Sequence, residues 1–184
     1  MSLRIDDTLE TFINKIITNK EIMDILKLPT INKKDTIEIK NKKRKLIIDK
    51  AISKSAQEPY ELGKNFPEVE IDGIKYKDYG KIRMTVSLAA SIKTGSYLFG
   101  NPQVDINIYY DNTKMENVFK LLDLISDTFS GITMKVETEN EKQFIRELKC
   151  EGITSQVAII NNYERVGIRF SFYATLYKNW RRKF

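Results

Sequence analysis

Apolar and polar residues alternate strictly in two stretches near the middle of the chain. Ile82, Met84, Val86, Leu88, Ala90 and Ile92 fall on one side of an extended segment, and Val104, Ile106, Ile108 and Tyr110 on one side of another. A period of two predicts two strands, each with one face turned to a core. Between them a loop carries Gly95, Gly100 and Pro102. The period then changes: Met115, Val118, Phe119, Leu122, Ile125 and Phe129 recur at helical spacing, and Gly131 stands where a helix C-terminal glycine belongs. Lys81 to Gly131 is therefore expected to be strand, loop, strand, helix.

The flanks are read in the same way. Leu9, Phe12, Ile13, Ile16 and Ile17 form one stripe of a helix expected over Asp7 to Lys27, with Asp7 and Glu10 at capping-box spacing and Asn19 capping a second turn before Pro29. Asp35 and Glu38 repeat that spacing, and Leu46, Ile47, Ala51 and Ile52 suit a helix from about Arg44 to Ser55. From Ser55 to Gly80 the chain is an irregular arm containing Pro59, Pro67 and a short hairpin, Val69 to Tyr76, turning at Asp72-Gly73. Ile132, Met134 and Val136 predict a strand. Phe144, Ile145 and Leu148 predict a short helix over Asn140 to Leu148. Two strands close the chain, Ile153 to Ile160 and Val166 to Leu176, joined by a turn at Asn161-Asn162.

These elements predict an α+β fold. It has a mostly antiparallel sheet of about four to five strands, two main helices on one face, and the irregular arm. One domain spans residues 1–184: helices over 1–28, a basic segment and arm over 29–80, a sheet-and-helix core over 81–177, and a basic tail over 178–184. The two long strands, Arg83 to Ile92 and Arg165 to Tyr177, pose an edge problem, since one of them is expected at an edge.

Composition narrows the chemistry. The chain has 41% hydrophobic and 30% charged residues, which is globular rather than disordered. It contains no histidine, which removes His-based acid–base catalysis, His-dependent triads and the usual zinc sites. Cys150 is the only cysteine, so no internal disulfide forms, and without a histidine an activated thiolate is not expected. No run approaches a membrane span of about 20 apolar residues, and MSLRIDDTLE has no apolar signal-peptide core. A soluble chain that stays in the cytoplasm is expected.

The net charge of +6 permits contact with nucleic acid without requiring it. Lys40, Lys42, Lys43, Arg44 and Lys45 form a dense basic block that could meet phosphates or simply be a solvated surface. The tail places Arg181, Arg182 and Lys183 between Trp180 and Phe184. Tyr97, Leu98 and Phe99, near a loop tip, are apolar for a solvated loop. With Tyr60, Phe66 and Trp180 they are the candidate oligomer or partner contacts. A Mg²⁺ nuclease would need only carboxylates. Asp105, Asp111, Glu68, Glu70 and Asp72 are scattered, and Glu38-Ile39-Lys40 matches a Glu-x-Lys motif outside a clear strand. No catalytic, metal or cofactor site is expected.

The order of elements resembles the tail-completion, or tail-terminator, proteins of tailed bacteriophages. The residues that carry the resemblance are the helix and apolar turn from Leu9 to Leu28, the strand NPQVDINIY from Asn101 to Tyr109, the helix MENVFKLLDLI from Met115 to Ile125, and the closing strand from Val166 to Tyr177. The basic segment from Lys33 to Ser55 departs from the pattern, where an extended stretch is more usual. The resemblance implies a structural virion protein that makes a ring, commonly of six subunits. The ring ends the tail tube and joins it to the head connector, with transient DNA contact in its lumen, no catalysis and no membrane. A small basic nucleic-acid-binding protein is the alternative, and a Mg²⁺ nuclease a third.

Overall fold

The structure, a computed structural model, describes residues 5–55, 62, 64–89, 102–137, 141–159 and 162–178. Helix α1 (Ile5–Ile17) turns the stripe Leu9, Phe12, Ile13, Ile16 and Ile17 fully inward. Asp6 and Asp7 lie in its first turn and Lys15 in its last, the signs a helix dipole favours. Asn19 caps α2 (Lys20–Ile25). Its Oδ1 accepts the N–H groups of Glu21 and Ile22 at 3.1 and 3.3 Å, and its Nδ2 donates to Thr128 Oγ1 at 3.0 Å.

Helix α3 (Ile37–Lys50) corrects the expectation for this segment at both ends. It begins seven residues earlier than Arg44, because Thr36, not Asp35, is its N-cap and accepts the Ile39 N–H at 3.3 Å. It ends at Lys50, because Ala51 leaves the helical region and Ile52 begins a strand. That strand, β1 (Ile52–Lys54), pairs in parallel with Met84–Val86 of β4 (Ile82–Ala89). Leu46, Ile47, Ala51 and Ile52 all face the core, so burial alone could not separate helix from strand here.

The arm holds the expected hairpin of β2 (Val69–Ile71) and β3 (Ile74–Tyr76). Asp72 and Gly73 both have positive φ, 55° and 72°, as a two-residue hairpin turn requires. Strand β4 then pairs antiparallel with β5 (Gln103–Asp111) over its whole length, Ile82 opposite Tyr110 and Ala89 opposite Gln103. A single 3₁₀ turn, Asn112–Lys114, leads into α4 (Met115–Phe129), and Gly131, at φ 72°, sits just past its end.

The last third overturns one expectation. Residues 141–158 form one long strand, β7 (Glu141–Ala158), where a short helix and a separate strand were expected. β6 (Met134–Glu137) pairs on one side of it and β8 (Tyr163–Lys178) on the other. The ladder with β8 shifts register between Arg146 and Lys149, between Cys150 and Gly152, and between Thr154 and Val157. Each shift changes the side-chain phase. Ile145 and Leu148 are therefore both buried although three residues apart, a helical spacing produced by a bulge.

Six strands lie in the order β1-β4-β5-β8-β7-β6, with β1 parallel to its neighbour. The fold is α+β with a mixed six-stranded sheet and four helices, one or two strands more than expected. The long strand β8 is central and β4 is flanked by β1, so the terminal strands of the sheet are the short β1 and β6. Val104, Ile106, Ile108, Val166, Ile168, Phe170 and Phe172 face the helices. Phe12 stacks on Phe129 at 4.9 Å between ring centres and meets Phe172 at 6.2 Å, and Phe129 meets Phe170 at 5.5 Å. Burying each such ring stabilises the fold by roughly 2–3 kcal/mol, and the paired geometry adds up to about 1 kcal/mol.

Candidate functional site

The basic block lies on α3, and most of its cations are engaged within the chain. Lys43 is buried, and its ammonium donates to Asp35 Oδ2 at 2.9 Å and to the Thr30 carbonyl at 3.1 Å. Arg44 pairs with Glu10 on α1 and donates to Asn14 Oδ1 at 2.7 Å. Lys42 meets Glu38 one turn back at 2.6 Å, and Lys40 donates to the Lys33 carbonyl at 3.1 Å. Lys45 is exposed, beside Asn41, Arg44, Ile48 and Asp49, which with it line a shallow open groove. A helix arranged this way fastens α3 to α1 and to the 30–35 loop. As a phosphate-binding surface it offers Lys45 and the outer sides of Lys40 and Lys42.

Of the candidate contact residues, Tyr60, Tyr97, Leu98, Phe99 and Trp180, and of the basic ones Arg181, Arg182 and Lys183, lie outside the described residues. Phe66 is described, and its ring is used inside the chain. It stacks on Tyr79 at 5.8 Å, sits under the Lys50 ammonium at 4.5 Å, and closes against Gly80, where even a Cβ would meet its edge. The Tyr79 hydroxyl donates to the Pro67 carbonyl at 2.6 Å, which ties the two ends of this part of the arm to each other.

Three of the carboxylates weighed as metal ligands, Asp105, Asp111 and Glu68, have other partners. Asp105 takes both nitrogens of a forked contact from Arg169, 2.6 and 2.7 Å long. Asp111 caps the 3₁₀ turn by accepting the Thr113 N–H, and that bond holds its carboxyl below the usual carboxylate range. Glu68 pairs with Lys75 across the arm hairpin at 3.2 Å. Among the described residues no three His, Cys, Asp or Glu side chains gather as a metal site. Cys150 is half-buried against the core opposite Phe170. No described helix is long and apolar enough to cross a membrane.

The feature that sequence reasoning missed is the flank of β7. The Gly131 N–H donates to the Leu148 carbonyl and the Leu148 N–H to the Ile132 carbonyl, which completes the pairing begun by β6. Beyond Leu148, no strand among the described residues pairs with the outer edge of β7. Ile153, opposite the buried Ile168 and so on the helix-bearing face, is 59% exposed. Val157, opposite Arg165 and on the other face, is 41% exposed.

Helix α4 covers β5 and β7 with Val118, Leu121, Leu122, Ile125 and Phe129, but two apolar residues expected in its inward stripe stand outside it. Phe119 is 49% exposed and Met115, one turn earlier, 38%. The flank of α4 that carries Thr128 faces α2, and Met115 and Phe119 lie on the opposite flank. Compared with known proteins, no family model matches the chain and no curated protein matches it.

Proposed function

We propose that the protein is a structural component of a phage-like particle, a virion protein assembled in the host cytoplasm. Copies would form a ring, a hexamer on the resemblance drawn from sequence, at the junction of tail and neck. The ring would end the tail tube and join it to the head connector, without catalysis. The observation that carries this reading is the outer edge of β7 beyond Leu148, unpaired among the described residues and flanked on its two faces by exposed Ile153 and Val157. An unpaired edge with apolar flanks is a surface that proteins cover in assembly. The elements on which the resemblance rests follow in its order, α1 and α2, then β4, β5, α4 and β8, with α3 and β1 to β3 before the strand pair and β6 and β7 before β8.

The nucleic-acid-binding alternative loses most of its support on α3, where Lys43, Arg44 and Lys42 have carboxylate partners within the chain. Light scattering at low and moderate salt, with and without a duplex DNA fragment, separates the two. A mass of several chains, unchanged by DNA, is expected. A single chain that binds DNA and releases it as salt rises would overturn the ring reading in favour of the alternative.

A further inference from the structure

We propose that the sheet face turned away from the helices carries a binding site for a phosphate-type oxyanion, built from Arg165, Tyr109, Thr85, Asn107 and Thr154 over the bare backbone of Gly167. The site does not depend on how copies of the chain assemble.

The ladder places these residues side by side. Arg83, Tyr109 and Arg165 are successive partners across β4, β5 and β8. Thr85, Asn107, Gly167 and Thr154 are successive partners in the next row, across β4, β5, β8 and β7. Met84, Ile108 and Val166 alternate with them and are buried in the core beneath the helices, so both rows stand on the opposite face. Partners on one face of a ladder have Cβ atoms about 4.5–5.5 Å apart. Gly167 leaves a gap in the middle, and two side chains lean over it. A Cβ there would collide with Thr154 Oγ1 and stand 2.7 Å from Asn107 Oδ1.

Two hydroxyls in these rows, those of Tyr109 and Thr85, are fully buried and have no hydrogen-bond partner. Tyr109 also stands outside the apolar core that takes in its neighbour Tyr110. A buried polar group without a partner is costly, and native structures keep few of them. Two on one small patch point to a partner that is a ligand. Arg165, beside Tyr109, has no ion pair or hydrogen bond among the described residues, and neither have the side chains of Asn107 and Thr154.

Charge sets the ligand class. Asp105, in the row beyond Asn107, is already taken by Arg169. Arg83, whose Nη2 donates to the Asp49 carbonyl at 3.4 Å, adds positive charge at the β4 end. The patch thus offers the Arg165 guanidinium, the hydroxyls of Tyr109, Thr85 and Thr154, and an amide whose NH₂ can be turned inward. Donors on several sides of one gap suit the four oxygens of a tetrahedral anion better than the planar pair of a carboxylate, and a guanidinium binds phosphate in a forked contact. Exposure rises across the face, from buried Arg83 and Thr85 on β4 to half-buried Arg165 and Thr154 on β8 and β7. The anion therefore enters from the β7 side as Arg165 and Thr154 turn aside, and the two buried hydroxyls complete its shell.

The test uses the full chain with sodium phosphate as the probe, followed by titration calorimetry and thermal melting, against sodium chloride at equal ionic strength. Phosphate is expected to bind at a single site on each chain and to raise the melting temperature where chloride does not. Arg165→Ala is expected to weaken phosphate binding by about tenfold or more while melting like the wild type without phosphate. Tyr109→Phe is expected to melt higher than the wild type without phosphate, because an unpaired buried hydroxyl is gone, and to gain less when phosphate is added. Lys45→Ala, which removes a cation from α3, should leave the phosphate response unchanged. A short single-stranded DNA at equal phosphate-group concentration separates two sources of the group. Binding tighter than phosphate that Arg165→Ala loses assigns the site to a nucleic-acid strand; binding no tighter, or kept by Arg165→Ala, assigns it to a free anion. Phosphate that stabilises no more than chloride, a response that Arg165→Ala keeps in full, or one that Lys45→Ala loses equally overturns the site. So does a Tyr109→Phe variant that melts higher and keeps the whole phosphate gain.

Discussion

Arg169 and Asp105 face each other across β8 and β5 and share two hydrogen bonds of 2.6 and 2.7 Å on the sheet face opposite the helices. The forked geometry fixes the register of the two strands where alternation alone would leave a slip of two residues possible. Arg169 is 39% exposed, so solvent screens much of the attraction. Asp105→Ala and Arg169→Ala are each expected to cost about 1 kcal/mol, and the double variant little more than either. A double-mutant cycle on urea midpoints measures this. Fully additive losses would show that the pair contributes nothing as a pair.

Lys43 and Asp35 are a different case, because both side chains are largely buried, 8% and 11% exposed. Asp35 Oδ2 accepts the Asn32 N–H and the Lys43 ammonium, and these bonds, the backbone one foremost, hold its carboxyl below its ordinary 3.8. A folded value below the unfolded one means stability present above 3.8 and lost as pH falls through and below that value. Asp35→Ala leaves the Lys43 ammonium with the Thr30 carbonyl alone and is expected to cost about 2–3 kcal/mol near neutral pH. It should also flatten the acid limb of the stability profile. Denaturation midpoints taken near neutral pH and well below 3.8 check both effects. An acid limb as steep in the variant as in the wild type would show that Asp35 does not contribute to it.

Much of this architecture was legible in the chain. β4, β5 and β8 alternate because one face meets helices and the other does not, and Asp72-Gly73 is a turn that few other pairs can make. β7 was not legible, since its bulges convert a period of two into spacings of three, and Ile145 and Leu148 imitate a helix. β1 was hidden because it continues the burial of α3 without a break. The pairing of Lys42 with Glu38 is visible as an i, i+4 spacing, but Glu10 and Asn14 reach Arg44 only through the fold. Phe119 was expected in the inward stripe of α4, but it directly follows the buried Val118, about 100° round the helix, and so stands at the margin of that stripe.

Gly167 lies on the central strand β8 between Asn107 of β5 and Thr154 of β7, and it is glycine for reasons of space rather than conformation. A Cβ there would collide with Thr154 Oγ1 and stand 2.7 Å from Asn107 Oδ1. Gly167→Ala is expected to destabilise by about 1–3 kcal/mol, the usual range for overpacking. Removing the obstacle should help, so Gly167→Ala with Thr154→Ala is expected to be more stable than Gly167→Ala alone. Thermal melting of Gly167→Ala, Thr154→Ala and the double variant reads this directly. Strictly additive losses would mean that Thr154 is not what the new methyl meets.

Tyr110 provides a probe at the other end of the pH scale. Its hydroxyl donates to Glu164 Oε2 at 3.0 Å and accepts from Gln156 Nε2 at 2.8 Å, joining β5, β8 and β7. Burial, reinforced by the Glu164 carboxylate, pushes the phenol from its ordinary 10 up to about 12. The unfolded chain ionises first as pH rises past 10, so this tyrosine's contribution is whole below that point and lost on the way to 12. Tyr110→Phe removes the hydroxyl from both partners and is expected to cost about 1–2 kcal/mol near neutral pH. It should also make the decline in stability between 10 and 12 shallower. Glu164→Gln removes a charge but leaves the ring buried, and burial is the larger cause. That variant should therefore keep most of the elevation, read as a late tyrosinate absorbance in an alkaline titration. A return of the last-ionising tyrosine to its ordinary value in Glu164→Gln would place the cause in the carboxylate and not in the core.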